Sequence, residues 1–168
     1  TVHILVNHWP SRREGERESE HKRLAAAILN VRLMDSILAI NPDAAIFVMG
    51  DFNDQPSNKS VEMLTKQPVM KSKQKDSVSA MMNPFKALQQ DGEGTCKYKK
   101  DWLLFDQIVV SNSVMDKKGV QFVTAEIYDP IWLYYKQDLN SGPFRTYVGN
   151  KYVGGYSDHF PVFIELKK

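Results

Sequence analysis

The first 50 residues alternate two apolar runs of strand length with one long periodic segment. Residues 2–6 are mostly apolar and β-branched and end at a polar loop, which predicts a buried strand. From about residue 18 to residue 40, apolar side chains recur at steps of three and four positions, the spacing of a helix with one apolar stripe. Pro42 ends that segment, and the continuous apolar run of residues 44–49 predicts a second strand. The pattern therefore predicts strand, helix, strand.

The rest of the chain holds shorter segments with the pattern of strands or helices. The strand candidates are residues 95–99, 102–110, 120–128 and 160–166. The helix candidates are residues 57–64, 81–90 and 130–139. The non-periodic residues 65–79, rich in Lys, Ser and Gln, predict a surface loop, and the Gly-containing turn signal at residues 91–94 precedes two runs that we expect to form a hairpin.

Composition places the chain among globular proteins with a buried core. Its 168 residues fit one domain, with 42% apolar and 25% charged residues. The chain has 22 Lys and Arg against 20 Asp and Glu, a net charge of +2. General nucleic-acid binders carry a far larger excess of basic residues. Composition thus argues neither for nor against DNA as a partner.

Localisation stays open on the sequence. Cys96 is the single cysteine, so an intrachain disulfide is excluded. No stretch approaches the ~20 apolar residues of a transmembrane helix, and the first residues lack the basic start of a signal peptide. Because Thr1 is not Met, we expect that something upstream has been removed, and a soluble, secreted or cell-envelope location would each fit a cleaved signal peptide.

Four polar clusters follow or interrupt the apolar runs, where loops on a rigid scaffold usually carry function. They are residues 7–8, residues 51–54, Asp106 and residues 157–159. Asp106 interrupts an apolar run, and an ionised carboxylate there is costly without a partner, for which His159 is a candidate. Each cluster alone also has a structural interpretation: a turn with a satisfied histidine, an Asx turn closing a strand, a buried ion pair, or a turn before the last strand.

Taken together, the clusters resemble a known family. The segments are Asn-His-Trp-Pro-Ser-Arg at residues 7–12, Gly-Asp-Phe-Asn-Asp at 50–54, Phe-Asp-Gln-Ile-Val-Val-Ser at 105–111 and Gly-Tyr-Ser-Asp-His-Phe-Pro-Val at 155–162. In this order they resemble the later motifs of the endonuclease/exonuclease/phosphatase superfamily. The resemblance implies an α+β fold that is part of a four-layered α/β/β/α sandwich of the DNase I type, with mixed, mostly antiparallel sheets, and one domain over residues 1–168.

The resemblance also implies a metal-dependent phosphoester hydrolase in which water attacks phosphorus in line. Asp51 would orient or deprotonate the water, and Asn53 would hold the phosphate or that water. His159 would contact the phosphate while Asp106 fixes its tautomer, and His8 would donate a hydrogen bond to the phosphate or leaving group.

The expected cofactor is Mg²⁺ or Mn²⁺, because oxygen-ligated divalent cations neutralise charge on phosphoryl oxygens. The resemblance assigns the metal to Asp158, directly or through water, and to Asp51. Arg12 and Arg145 are candidates for binding an anionic substrate, together with Asn53. The alternative for Arg12 is a solvated helix start, because basic and acidic residues alternate over residues 12–20, and for Arg145 it is a pair with a surface acid.

The sequence departs from the family at its beginning. Members start with a strand carrying an Asn and a second strand ending in a metal-binding Glu, and neither precedes the first strand here, so we expect the domain to be truncated at its N-terminus. Two hypotheses follow: the C-terminal part of an active phosphoesterase, or a non-catalytic binding or structural fragment. The substrate class stays open between nucleic acid, phosphoinositide, sphingolipid and a small phosphodiester, as does the oligomeric state.

Overall fold

A computed structural model describes residues 1–66, 81–115 and 119–168 of the chain. In these ranges, the α-helices are α1 (Glu20–Ile40), α2 (Lys59–Lys66) and α3 (Phe85–Gln90). The strands of the described residues are β1 (Val2–His8), β2 (Ala45–Asp51), β3 (Met81–Met82), β4 (Cys96–Tyr98), β5 (Asp101–Leu103), β6 (Asp106–Ser111), β7 (Gln121–Ile127), β8 (Tyr147–Val148), β9 (Lys151–Tyr152) and β10 (Val162–Lys167). Within these residues, no helix combines the length and apolarity needed to cross a membrane.

The main sheet has four strands in the order β1-β2-β6-β3. Strands β1 and β2 are parallel because α1 carries the chain back between them, while β6 runs antiparallel to both β2 and β3. A second sheet pairs β7 with β10, also antiparallel, and β4–β5 and β8–β9 form hairpins. The expected mixed, mostly antiparallel α+β architecture is therefore confirmed.

The main sheet separates two apolar cores. On one face, α1 presents Ala27, Val31, Met34 and Leu38 at helical spacing, and these pack with residues of α2, β2 and β6. On the other face, Phe47, Ile108 and Val110 of the main sheet pack against the second sheet; the partly buried residues of that sheet in this core are Ala125, Ile127, Val162 and Ile164. The layers are thus helix, sheet, sheet, and the assignment of residues 1–168 to a single domain stays a prediction.

Strand β1 differs from the buried strand that its sequence predicts. Val2, Ile4 and Val6 are 50%, 59% and 78% exposed, whereas Leu5 packs into the core beside α1. The physical reason is position: β1 pairs only with β2, and within the described residues nothing covers its face opposite α1. An apolar run of strand length does not by itself tell a central strand from an edge strand.

The predicted strand over residues 102–110 is divided in two. Its first part, β5, completes a hairpin with β4, and its second part, β6, joins the main sheet beside β2. The chain turns between them because Thr95 Oγ1 accepts hydrogen bonds from the backbone N–H groups of Phe105, at 3.2 Å, and Asp106, at 3.3 Å.

Three weaker predictions also need correction or fall outside the description. The helix expected over residues 81–90 begins only at Phe85, after the short strand β3. The helix expected over residues 130–139 is two 3-10 turns, Ile131–Leu133 and Tyr135–Gln137, with Lys136 at φ +54°. The predicted loop of residues 65–79 lies outside the described residues except for the last two residues of α2.

Candidate active site

Strand register brings three of the predicted site residues to one edge of the main sheet. His8 at the end of β1 lies opposite Asp51 at the end of β2, and Asp51 lies opposite Asp106 at the start of β6. His8 Nε2 is 3.5 Å from Asp51 Oδ2, and the His8 side chain is 77% exposed. Because β6 is antiparallel to β2, its first residue meets the last residue of β2, which sequence order alone does not show.

The backbone around Asp51 is fixed on both sides. Gly50 has φ +134°, and a Cβ atom there would lie 1.9 Å from the carbonyl oxygen of Asn7 in β1. Asn53 has φ +50°; its backbone N–H donates to Asp51 Oδ1 at 2.8 Å, and its side-chain amide donates to Asp51 Oδ2 at 3.1 Å and to the carbonyl of Trp9 at 3.0 Å. The Asx turn of the structural interpretation is therefore present, and it also orients the carboxylate.

His159 reaches this edge from the loop before β10. Its Nδ1 lies 2.6 Å from Asp106 Oδ2, the contact expected from the sequence. The loop is held on both sides of the imidazole: the His159 backbone N–H donates to Ser157 Oγ at 3.1 Å, and the Phe160 N–H donates to the carbonyl of Thr95 at 2.7 Å. Buried Thr95 thus positions both members of the Asp106–His159 pair, and no sequence signal singled it out.

Burial and neighbouring charges shift the pKa values of two side chains at the site. Burial raises the pKa of Asp51; the hydrogen bond from the Asn53 backbone lowers it, the Asp106 charge raises it again, and the net direction is upward. Burial lowers the pKa of His159, but its hydrogen bond with Asp106 and the neighbouring Cys96 outweigh that effect and raise this pKa to about 11. His159 is therefore a cationic hydrogen-bond donor at neutral pH.

The site has the donors for a divalent cation. Among the described residues, ligand-type atoms of Asp51, Asp106 and His159 lie within 4.8 Å of one another, and the two carboxylates are the donors for a cation, because a protonated imidazole cannot ligate a metal. Two carboxylates converge here, and the upward pKa of Asp51 reports part of their repulsion, which a cation would relieve. Asp158 is exposed and is not part of this group, so its assignment as a metal ligand stays a prediction.

Arg12 lies beneath the loop that follows β2. Its Nε donates to the carbonyl of Asn53 at 2.7 Å, its Nη2 lies 2.6 Å from Asp54 Oδ1, and its guanidinium stacks 4.8 Å from the centre of the Phe105 ring. Its side chain is only 17% exposed, so the interpretation as a solvated helix start is wrong for this residue. Arg145 is exposed and donates to the carbonyl of Lys97 at 3.1 Å. Substrate binding by either arginine stays a prediction.

The sequence did not predict a second arginine that pairs with Asp54. Arg23 is fully buried in α1, with Nε 2.8 Å from Asp54 Oδ2, and its two other nitrogens donate to Ser19 Oγ and to the carbonyl of Glu16, each at 2.7 Å. Its position was the available signal, because residue 23 stands one helical turn before Ala27 on the buried stripe of α1.

Comparison with known proteins gives the family. The chain is similar in fold to a mannosyl-6-phosphatase from Bacteroides thetaiotaomicron VPI-5482 (15% identity, TM-score 0.54, 98% of this chain and 51% of that one). It is also similar to truncated TDP2 from Caenorhabditis elegans (18% identity, TM-score 0.51, 95% and 51%) and to the human Nocturnin catalytic domain with bound sulfate (17% identity, TM-score 0.50, 96% and 47%). The chain spans about half the length of these structures, and no curated relative matches it in sequence. The family model described as Endonuclease/Exonuclease/phosphatase family matches residues 1–168, and the chain belongs to that family.

Proposed function

We propose that this chain carries the site of a metal-dependent phosphoester hydrolase in which water attacks phosphorus in line. The observation that supports this most is the convergence of His8, Asp51, Asp106 and His159 at one sheet edge, through strand register and the 2.6 Å contact between His159 and Asp106. Family membership supports the same reaction class. A nucleophile-orienting carboxylate, a cationic donor and an exposed imidazole are the groups that such a reaction requires.

In this proposal each side chain acts through the atoms that its environment leaves available. Asp51, oriented by Asn53 and desolvated, accepts the proton of the attacking water or fixes its direction. His159 uses Nδ1 for Asp106, so Nε2 is the nitrogen that donates to a phosphoryl oxygen. His8, with its side chain mostly in solvent, is placed to donate to the phosphate or the leaving oxygen.

The proposed cofactor is Mg²⁺ or Mn²⁺. Asp51 and Asp106 supply hard oxygen ligands that fit either ion. The predicted ligand Asp158 lies on the loop that carries His159, outside this group. When bound, such a cation withdraws charge from the phosphoryl oxygens and lowers the cost of the departing oxygen. A phosphoester is the proposed substrate, drawn from nucleic acids, phosphoinositides, sphingolipids or small phosphodiesters.

The direct test is hydrolysis of bis(p-nitrophenyl) phosphate with Mg²⁺, with Mn²⁺ and with EDTA. We expect metal-dependent release of p-nitrophenolate, and a loss of kcat/KM on the order of 10²–10⁴-fold in Asp51→Asn. This substitution removes the charge but keeps an oxygen for the Asn53 N–H. The matched control is Asp101→Asn, since Asp101 is an exposed residue of the β4–β5 hairpin, and its activity should be unchanged.

Two outcomes would contradict the proposal. Wild-type activity equal to that of Asp51→Asn would show that the carboxylate has no role in the reaction. Metal-dependent binding of the diester without any release of p-nitrophenolate would favour the alternative, a non-catalytic binding fragment of the fold.

A further inference from the structure

A recess opens beside the Asp106–His159 pair on the side of the loop that precedes β10. Its volume is about 250 Å³, and both members of the pair line it. The remaining wall is mostly apolar; its apolar residues are Leu133, Pro143, Tyr156, Phe160 and Pro161. Because pockets for drug-sized ligands commonly measure about 300–1,000 Å³, this volume suits one or two rings rather than a long chain. The recess therefore adjoins the proposed phosphate position, because His159 lines it.

Tyr156 is the exposed aromatic side chain of this recess, and two other rings contact it. Its ring meets Trp132 edge to face at 5.4 Å and Phe144 edge to face at 6.1 Å, yet the residue is 63% exposed. Its backbone N–H donates to the carbonyl of Phe144 at 2.7 Å. At Gly155 the same loop passes so close that a Cβ atom would lie 2.2 Å from that carbonyl oxygen. An exposed ring with fixed orientation can stack on a ligand without a large loss of conformational entropy.

Part of the polar lining is already engaged within the protein, and His159 Nε2 is the nitrogen proposed to face the phosphate. Ser157 Oγ accepts the backbone N–H of His159 at 3.1 Å, and Asp106 Oδ2 contacts the imidazole. A sugar placed in this recess would bury hydroxyl groups with few partners, and unsatisfied buried hydroxyls are costly. A flat unsaturated ring has no such cost on its faces and gains from contact with the tyrosine and the apolar wall.

We propose that the recess binds a planar unsaturated ring of a phosphate ester, a nucleobase or an aryl group, while the phosphate lies at Asp51 and His159. This inference rests on the proposed function for the position of the phosphate and adds the class of substrate. The ring stacks on Tyr156 and contacts Phe160, which anchors the loop that carries the imidazole.

The test compares binding of AMP, phenyl phosphate and ribose 5-phosphate to the chain with Mg²⁺, by titration calorimetry. AMP and phenyl phosphate should bind at least about 10-fold more tightly than ribose 5-phosphate, which carries the phosphate without the unsaturated ring. A stronger preference for AMP than for phenyl phosphate would identify a nucleobase as the ring, and the reverse an aryl group.

Variants of Tyr156 separate ring stacking from loop structure. Tyr156→Ala should weaken AMP binding about 5- to 100-fold, the range of one base–aromatic stack, and leave ribose 5-phosphate binding unchanged. Tyr156→Phe keeps the ring and should keep the preference. The matched control is Tyr98→Ala, because Tyr98 is also 63% exposed but lies on the β4–β5 hairpin and does not line the recess.

Equal affinity for AMP and ribose 5-phosphate, or a preference that survives Tyr156→Ala, would overturn this inference. Neither result depends on turnover. Hydrolysis without a ring preference would therefore refute only the proposal that the recess binds a ring. A ring preference without hydrolysis would support ring binding in the recess and refute the proposed phosphoesterase activity.

Discussion

Asp54 should be among the most stability-sensitive charged residues of the chain, because it pairs with two arginines at once. It is 2% exposed; its Oδ1 lies 2.6 Å from Arg12, and its Oδ2 lies 2.8 Å from Arg23 and accepts the Ser60 hydroxyl at 2.5 Å. The N–H at Arg23 Nε is not directed at that oxygen and has no hydrogen-bond partner among the described residues, so the attraction at this atom is that of an ion pair.

Asp54→Asn keeps the shape and removes the charge, which leaves the fully buried Arg23 without a counter-ion. At an effective dielectric constant of 20, two unit charges ~3 Å apart attract by about 5–6 kcal/mol, an upper bound on the loss. Breaking one partner of a buried pair typically costs about 3–5 kcal/mol, and we expect that loss in the free energy of unfolding. For a urea m-value of about 2 kcal/mol/M, the midpoint should fall by about 1.5–2.5 M.

Urea unfolding followed by circular dichroism measures this loss in wild type, Asp54→Asn, Arg23→Met and the double variant. The double variant should be more stable than the sum of the single losses predicts, because it no longer buries an unpaired charge. Glu14→Gln is the control, since its ion pair with Lys22 at 2.6 Å involves side chains 65% and 40% exposed and is screened by solvent. A loss in Asp54→Asn no larger than in the control would refute the reasoning.

Three further outcomes follow from the site. The pKa of His159 is raised from its ordinary 6.5 to about 11, so Asp106→Asn should be less stable than wild type by about 1.5–3 kcal/mol below pH 6.5. In urea unfolding, this difference in stability should close as pH rises towards 11. A difference that does not depend on pH would contradict the prediction. Mg²⁺ at about 100 times its dissociation constant should raise the melting temperature by about 5–10 °C in wild type and leave that of Asp51→Asn unchanged. Gly50→Ala should cost more than about 3 kcal/mol in urea unfolding, through strain and a clash with β1, whereas Gly149→Ala, with φ +58° and open space, should cost about 1 kcal/mol.

The parts of the fold predicted from sequence are those in which local pattern and tertiary role agree. The long helix and the strands around it follow from period and length, and β7 and β10 lie within one or two residues of their predicted bounds. Prediction failed where a contact with residues distant in the sequence decides the path of the chain or the burial of a strand. The division of the run over residues 102–110 depends on the hydroxyl of Thr95, and the exposure of β1 depends on which strands lie beside it.

The residues of the candidate site were easier to predict than the buried charged residues beneath them. Asp51 was identified as a polar residue after an apolar run, and Asp106 as a carboxylate that interrupts one and needs a partner. The buried ion pairs of Asp54 with Arg12 and Arg23 were missed, since a run of alternating arginine and glutamate usually lies in solvent. Arg23 escapes that rule only because α1 turns it inward towards Asp54, a residue 31 positions later in the chain.

The same buried charges that stabilise the helix–sheet contact also position the carboxylate of the site. Asp54 follows Asn53, whose φ of +50° and two donated hydrogen bonds orient Asp51. Arg12 joins the two functions, because it donates to the carbonyl of Asn53 at 2.7 Å while it pairs with Asp54. Burial that raises the pKa of Asp51 works against folding when this carboxylate is charged, and the adjacent ion pairs offset that cost. If the chain is the proposed hydrolase, a substitution at Arg12 should therefore change its activity through the position of Asp51, even though the guanidinium itself pairs within the protein.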